Sequence, residues 1–232
     1  MCFSHSKLSA AGRPSLPARA SKPIICYVTD RKALRGDDSV DALIEKIRTA
    51  VAAGVDWVQI REKDLQARDL LALVRDAVTA GSTRVIVNDR IDVALAAGAA
   101  GVHLSHASVA AREVVQWCRA GNAPADFLVG VSCHSLEGAK QAEDDGANYT
   151  YFGPIYETPS KIPFGAPHGI DELAAVCKAV KIPVIAIGGI DESNAAECLR
   201  AGAAGIAAIR MIQSPPDAHA LRKTLEKLHT GN

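Results

Sequence analysis

The feature that most limits the fold of this chain is a repeat in which short apolar segments alternate with amphipathic, Ala- and Leu-rich segments. Short, fully apolar segments are typical of strands buried on both faces of a parallel sheet, and the segments between them have the 3.6-residue periodicity of helices. The predicted strands cover residues 24–30, 57–63, 84–89, 101–105, 127–133, 149–155, 183–189 and 205–212. The predicted helices cover residues 40–53, 68–80, 91–97, 109–119, 136–144, 170–179, 193–201 and 217–228.

A second repeat lies at the joints between these elements, in the stretches AAGVDWVQI, AAGAAGVHL, DDGANYTYF and RAGAAGIAAI. In each, a glycine is expected to end a helix in the left-handed conformation, and a strand begins one or two residues later. Eight such units, at intervals of about 25 residues, predict an α/β fold with a single (β/α)₈ (TIM) barrel over residues 23–232. The alternative is an open doubly wound sheet, which the lack of a G-x-G-x-x-G motif after the first strand disfavours.

The composition excludes several classes of protein. The 26 basic and 26 acidic residues cancel, and only 4% of the 232 residues are aromatic. A neutral chain with few aromatic side chains is not expected to bind nucleic acid or a membrane surface. No apolar run reaches the ~18 residues that a membrane span requires. The expected partners are therefore small molecules, and a homo-oligomer is compatible with the sequence.

The two remaining compositional features concern the amino terminus and the cysteines. Residues 1–22 are basic, contain no acid and lack the apolar centre of a secretory signal, so we expect a disordered basic tail. A transit-like segment is the alternative. None of the six cysteines forms a C-x-x-C pair, and a chain of this length can bury a core without disulfides, so we expect free thiols and a cytoplasmic protein.

Polar side chains follow the predicted strands at the end where parallel barrels carry their active sites. Gln59, Arg61 and Lys63 alternate along the second predicted strand, and are expected to face the same side. Two cations beside an amide suit a pyrophosphate group. The alternative is inter-strand salt bridging with Asp30 or Asp89.

Further candidate sites lie after the third and seventh strands. Asn88 and Asp89 offer the hard oxygen ligands that magnesium prefers, although this pair also occurs in turns and helix caps. Gly188 and Gly189 precede a predicted helix, where exposed backbone N–H groups could bind an anion. A tight turn that requires glycine is the alternative.

The loop over residues 153–169 is long for a connection between a strand and a helix, and long ordered loops are usually functional. Thr158, Ser160 and Lys161 could close over an anion. His134, directly after the fifth predicted strand, could carry a proton. It could equally be a hydrogen-bonded loop residue.

At these positions the chain resembles the family of the thiamin phosphate synthases and their relatives, the thiazole tautomerases. The resemblance covers about residues 24–212, through the stretches YVTDR, QIREK, NDRIDVALAAGAAGVHL, VGVSCHS, EDDGANYTYFGPIYETPSK and IPVIAIGGI, then AGAAGIAAI. For the synthases it implies that a hydroxymethylpyrimidine diphosphate loses pyrophosphate, and that a thiazole phosphate captures the pyrimidine cation through its ring nitrogen. The product is thiamin phosphate.

The resemblance also assigns roles to individual residues. Asp89 would bind Mg²⁺, and Gly189 with its neighbouring backbone would bind the thiazole phosphate. The catalytic residues would be Lys63, Ser132, His134 and Lys161. The substrate contacts would come from Gln59, Arg61, Asn88, Thr158, Ser160, Gly189 and Arg210.

Two departures from the synthase pattern leave a second activity open. The synthases carry HLGQxD after the fourth strand, whereas this chain has HLSHASV, so the second carboxylate ligand is missing and Mg²⁺ should be weakly held. Arg210 stands where the synthases have serine, and could complement the thiazole phosphate. The tautomerases need no metal and use a histidine at the position of His134 as acid and base, but they tend to lose the Gln and Lys of QxREK, which this chain keeps.

Two further classes are alternatives, and the first is a different phosphosugar barrel, such as an epimerase or an aldolase. A Schiff-base aldolase would need a lysine in the middle of a core strand, whereas Lys63 and Lys161 are expected at a strand end and in a loop. The second is a non-catalytic relative that binds thiazole phosphate or thiamin phosphate. A regulator of this kind would be expected to carry a fused or DNA-binding domain, and the sequence shows no such motif.

Overall fold

The computed structural model describes residues 22–34, 36–158, 166–215 and 217–230, with side chains described as far as residue 228. Its eight parallel strands close into one barrel in chain order, so the predicted fold is confirmed. Residues 1–21 of the predicted tail lie outside the described residues. The strands are β1 (Ile24–Val28), β2 (Trp57–Ile60), β3 (Arg84–Asn88), β4 (Gly101–Leu104), β5 (Leu128–Cys133), β6 (Tyr149–Phe152), β7 (Val184–Ile187) and β8 (Gly205–Ala208).

Helices follow the strands and surround the barrel. None of the described helices has the length and apolarity that crossing a membrane would require. The helices are α1 (Val40–Ala53), α2 (Ala67–Thr79), α3 (Ile91–Ala97), α4 (Ala111–Trp117), α5 (Leu136–Asp144), α6 (Gly169–Ala179), α7 (Ala195–Arg200), α8 (Arg210–Gln213) and α9 (Ala218–Thr230).

The ends of α1 illustrate how the local sequence sets the element boundaries. The Ser39 side chain accepts a hydrogen bond from the Ala42 backbone N–H (3.1 Å) and so caps the first turn. Gly54 ends the helix with φ = 100°, a left-handed conformation that costs glycine little. The glycines of the other three predicted joints also have positive φ, namely Gly98, Gly146 and Gly202.

Two apolar layers make up the core. One lies between the strands and the helices and includes Leu43, Leu73 and Leu173. The other fills the barrel interior, which is therefore a packed core rather than a pore, as is usual for this fold. The interior layer comprises Cys26, Val28, Trp57, Ile86, Leu128, Tyr149, Tyr151, Ile185 and Ala207.

Several predicted strands extend too far at their carboxyl ends, and the largest error concerns residues 205–212. β8 pairs with β1 only as far as Ala208, opposite Tyr27, and Arg210–Gln213 then forms α8. The apolar residues Met211 and Ile212 are buried on this helix rather than in the sheet. Arg210, which we predicted at a strand end, is therefore an exposed helical residue.

Candidate active site

The carboxyl ends of β2 and β3 hold a row of hydrogen-bonded polar side chains. Gln59 Nε2 donates to Asn88 Oδ1 (3.0 Å), and Asn88 Nδ2 donates to Asp89 Oδ2 (2.6 Å). Gln59 is only 2% exposed, yet its Oε1 has no hydrogen-bond partner within the part of the chain that the structure describes. Because buried polar atoms are nearly always satisfied in native proteins, this oxygen points to a ligand that donates a hydrogen bond.

Asp89 is held in place from several sides. Its backbone is left-handed (φ = 61°), and its N–H donates to the His103 carbonyl oxygen (2.9 Å). Its Oδ1 accepts hydrogen bonds from the Ser105 N–H (2.8 Å) and from the Ser108 hydroxyl. Burial would raise the pKa of Asp89, but these hydrogen bonds, together with the charge of Lys63, outweigh burial and lower the pKa below its ordinary value.

Arg61 and Lys63 lie just beyond β2, which ends at Ile60. The prediction that they belong to the strand is therefore wrong. Arg61 is half-buried and Lys63 is exposed. They still lie at the mouth of the barrel, since the charge of Lys63 acts on Asp89 and that of Arg61 acts on His103. Neither side chain forms a hydrogen bond or an ion pair with any described residue.

Glu62, between these two cations, has a structural role that the sequence analysis missed. It is 5% exposed, and its carboxylate accepts hydrogen bonds from Thr29 Oγ1 (2.7 Å) and Arg31 Nη1 (3.1 Å). Thr29 Oγ1 in turn accepts a hydrogen bond from the Arg61 backbone N–H (2.9 Å). The loops after β1 and β2 are thus joined, and the backbone that carries Arg61 is fixed.

Substitution of Glu62 should show how much this junction stabilises the fold. We expect Glu62→Gln to lower the free energy of unfolding by about 1–3 kcal/mol, because the new amide N–H groups would face donors and leave buried groups unsatisfied. Equilibrium urea unfolding measures this. The matched control is Glu45→Gln, at an exposed carboxylate paired with Arg48 on α1, where we expect a change below about 0.5 kcal/mol. Equal losses for the two variants would contradict the structural role.

Three polar residues occupy the barrel interior beneath the mouth. His103 on β4 places Nδ1 3.2 Å from the Tyr149 hydroxyl and Nε2 2.8 Å from Ser132 Oγ. Burial lowers the pKa of His103 to about 3, with a further lowering from Arg61 that the charge of Asp89 opposes, so the ring is neutral. Ser132 was predicted as a site residue, whereas His103 and Tyr149 were not, because the sequence does not show which side chains meet across strands.

The remaining residues predicted near β5 and β6 are only partly described. His134 is exposed, its Nδ1 donates to the Gly153 carbonyl oxygen, and its ring stacks on that of His168 with centroids 6.4 Å apart. Thr158 is half-buried at the edge of the described loop. Ser160 and Lys161 lie outside the described residues.

Gly188 and Gly189 follow β7 with positive φ values of 97° and 69°. A Cβ atom on Gly189 would lie 2.6 Å from the Glu157 carbonyl oxygen and 2.7 Å from Tyr156 Cβ. Glycine is therefore required here by the close approach of the β6 loop. This supports the turn interpretation and leaves the predicted phosphate contact of Gly189 as a prediction.

Two concave regions are associated with the predicted residues. A cavity of about 270 Å³ is lined by Lys63, Asn88 and Asp89, together with Ile60, Glu62, Leu65, Leu70 and Arg90. A more open depression of about 600 Å³ is lined by Arg210 and by residues from α8, α9 and the segment before α7. We assign the candidate active site to the smaller cavity, because it is lined by Asn88 and Asp89, and Asn88 accepts a hydrogen bond from Gln59, whose Oε1 has no partner among the described residues.

The donor set at Asp89 can be compared with the needs of a metal ion. Within the described ranges, no group of three His, Cys, Asp or Glu side chains is placed to hold a metal. Mg²⁺ is often bound through only one or two carboxylates together with substrate phosphates. The described donor set therefore fits a magnesium ion held by Asp89 and by the substrate.

A filled parallel barrel with cations, an amide and a carboxylate at the carboxyl ends of its strands defines a (β/α)₈ enzyme whose site suits phosphorylated substrates. The sequence profile described as "Thiamine monophosphate synthase" matches residues 25–212, and the chain belongs to this family. It is 39% identical over 213 residues to a "Thiamine-phosphate synthase" of Roseiflexus castenholzii, covering 90% of each chain. It is 41% identical over 207 residues to one of Chloroflexus aurantiacus, covering 87% of this chain and 90% of the relative.

Solved structures agree with this assignment. The "Thiamine phosphate pyrophosphorylase from Pyrococcus furiosus" superimposes with a TM-score of 0.74 at 31% identity, covering 90% of this chain and 98% of that chain. The family match over residues 25–212 runs from β1 to β8 and includes every described site residue.

Proposed function

We propose that this chain condenses a hydroxymethylpyrimidine diphosphate with a thiazole phosphate to give thiamin phosphate and pyrophosphate. The observation that carries the proposal is the buried Gln59, whose Oε1 lacks a partner within the described residues. A pyrimidine amino group would supply the missing donor. Family membership and the two cations beside this amide support the same reaction.

In this reaction the bond between the pyrimidine methylene carbon and the diphosphate oxygen breaks, and its electron pair leaves with pyrophosphate. The thiazole ring nitrogen then donates an electron pair to the resulting cation. Arg61 and Lys63 bind the departing diphosphate, with Asn88 and Lys161, and stabilise the negative charge that grows on it. Gly189, Arg210, Thr158 and Ser160 hold the two substrates in the relative orientation that the reaction requires.

Asp89 would hold Mg²⁺ together with the diphosphate oxygens. The ion, when bound, neutralises part of the charge on the leaving group. Asp89 keeps its negative charge for this purpose, because its lowered pKa makes the carboxylate ionised at neutral pH.

The proposal also covers the partners and the cellular location of the enzyme. Its partners are small-molecule phosphates, and we propose a cytoplasmic location and leave a homo-oligomer open. The described cysteines are free thiols, which supports a reducing compartment. Incubation of the purified protein with both phosphates and Mg²⁺ tests the function directly. Formation of thiamin phosphate distinguishes an enzyme from a non-catalytic binding relative.

One observation favours a thiazole tautomerase as the second candidate function. The His134 Nδ1–H donates to the Gly153 carbonyl oxygen, so Nε2 is the basic nitrogen of the neutral ring. A histidine oriented in this way could move a proton on a thiazole ring.

His134→Ala separates the two candidates. We expect the variant to retain most of the condensation activity, because departure of pyrophosphate requires charge stabilisation rather than proton transfer by this residue. Product formation is measured by chromatography, and His219→Ala, at an exposed histidine on α9, is the matched control. If condensation is absent, and thiazole isomerisation proceeds in chelator but is lost with His134→Ala, the chain is a tautomerase.

A further inference from the structure

Three neighbouring strands bring Tyr149, His103 and Ser132 together in the barrel interior. His103 on β4 pairs in register with Gly130 on β5, and Gly130 pairs with Tyr149 on β6. A Cβ atom on Gly130 would lie 2.1 Å from Tyr149 Cζ and 2.4 Å from its hydroxyl oxygen. The absence of a side chain at Gly130 therefore lets the phenol cross β5 and reach His103.

Counting protons shows which group donates and which accepts in each of these hydrogen bonds. A neutral imidazole carries one N–H, and both ring nitrogens of His103 have a partner. The Tyr149 hydroxyl is fully buried and has no other hydrogen-bond partner among the described residues. If His103 Nδ1 carried the proton, the Tyr149 O–H would have no acceptor, which is unfavourable for a buried donor.

The other arrangement satisfies every buried donor. The Tyr149 O–H donates to His103 Nδ1, and the His103 Nε2–H then donates to Ser132 Oγ. The hydroxyl hydrogen of Ser132 then has no acceptor, because this half-buried side chain has no second hydrogen-bond partner in the described part of the chain. Ser132 is thereby fixed as a hydrogen-bond donor toward the mouth of the barrel.

We propose that Tyr149 and His103 are positioning residues, and that they orient the Ser132 hydroxyl to donate to the diphosphate leaving group. We call Tyr149, His103 and Ser132 the interior relay. The proposal rests on the function proposed above and adds to it residues that touch no substrate. A donor in this place requires an electron-rich acceptor, and a diphosphate oxygen meets that requirement.

The electrostatic surroundings support this acceptor. Asn88 on β3, which we assign to the diphosphate, pairs in register with His103 on β4, so the interior relay lies beside the diphosphate site. The charge of Arg61 also acts on His103. A hydrogen bond to an ionised oxygen is stronger than one between neutral groups. The contribution of Ser132 should therefore increase as the diphosphate gains charge in the transition state.

A double-mutant cycle tests whether Tyr149 acts through Ser132. We expect Ser132→Ala to lower kcat/KM for condensation by about 10- to 100-fold, and Tyr149→Phe by about 10-fold. In the Ser132→Ala background, Tyr149→Phe should cost less than about 2-fold more, because the two residues act as a unit. Full additivity would mean that Tyr149 has a general structural role and would overturn the proposal.

Tyr151→Phe is the matched control. Tyr151 is also fully buried in the barrel interior, but its hydroxyl donates to Cys26 Sγ (3.0 Å) rather than to His103. We expect kcat/KM for this variant within about 2-fold of the wild type once folding has been verified by thermal unfolding. An equal loss for Tyr151→Phe and Tyr149→Phe would also overturn the proposal.

The tautomer of His103 gives a readout that does not depend on activity. In protein labelled with ¹⁵N on histidine, the His103 signals can be assigned by their loss in His103→Gln. We expect protonated Nε2 and bare Nδ1 in the wild type, and a shift toward the Nδ1–H tautomer in Tyr149→Phe. Protonated Nδ1 in the wild type would overturn the interior relay. If the wild type makes no thiamin phosphate, the proposed function fails, whereas the nitrogen spectrum still decides the relay.

Discussion

Replacement of Arg61 by alanine is expected to lower kcat/KM for condensation by about 10²- to 10³-fold, because a charged donor to the leaving group is removed. The half-buried guanidinium has no partner among the described residues, and so is available to bind the diphosphate. Lys63→Ala should act in the same direction but with a smaller effect, since Lys63 is exposed and solvent weakens its field.

Two companion variants make this experiment decisive. Arg61→Lys keeps the charge but loses the planar fork of donors, so we expect an intermediate loss. Arg68→Ala, at an exposed arginine on α2, should leave kcat/KM unchanged. Steady-state kinetics with both substrates varied provide the measurement. An unchanged kcat/KM in Arg61→Ala and Lys63→Ala would remove both residues from the diphosphate site.

Removal of magnesium is expected to abolish condensation completely, and a magnesium titration should saturate late. We expect weak binding because of Ser108. It is the sixth residue of the stretch that begins at His103, which is the position of the aspartate in the synthase motif HLGQxD. Its hydroxyl donates to Asp89 Oδ1, which also accepts from the Ser105 N–H. The Ser108 hydroxyl therefore occupies the position of the second carboxylate ligand, and it donates a hydrogen bond to the first ligand, Asp89.

Ser108→Asp should consequently tighten magnesium binding by about 10-fold or more, since a second carboxylate would be supplied. Calorimetric titration of Mg²⁺ in the presence of pyrophosphate measures this without reference to activity. Ser108→Ala is the matched control, because it frees Asp89 Oδ1 from one hydrogen bond without adding a ligand. Full condensation in the presence of chelator would contradict a role for magnesium, and unchanged affinity in Ser108→Asp would contradict the position assigned to the ion.

The sequence by itself determined the fold and the general place of the site. Eight apolar segments and the joint glycines, such as Gly54, specify a closed parallel barrel because local propensity and periodicity agree at every unit. In such a barrel the carboxyl ends of all the strands meet at one face, so residues 59, 88 and 89 could be assigned to a common site from their positions alone.

The exact ends of the strands were decided by the tertiary structure. β2 ends at Ile60, so the side-chain alternation predicted beyond it fails: Glu62 is buried and binds Thr29 and Arg31. After β8, Met211 and Ile212 are buried on a helix, although a strand would bury them equally well. A short apolar run does not show which of the two structures forms.

Contacts between strands likewise could not be predicted from the sequence. Ser108 meets Asp89 because two loops converge, and Tyr149 reaches His103 only because the register places Gly130 between them. A period-2 pattern indicates which face of its own strand a residue occupies, but not which residue of a neighbouring strand lies beside it. The sequence therefore determined the barrel and the chemical character of its mouth. Closure of the sheet in one register decided which polar groups pair with one another. It also decided which groups, such as Gln59 Oε1, remain to bind a ligand.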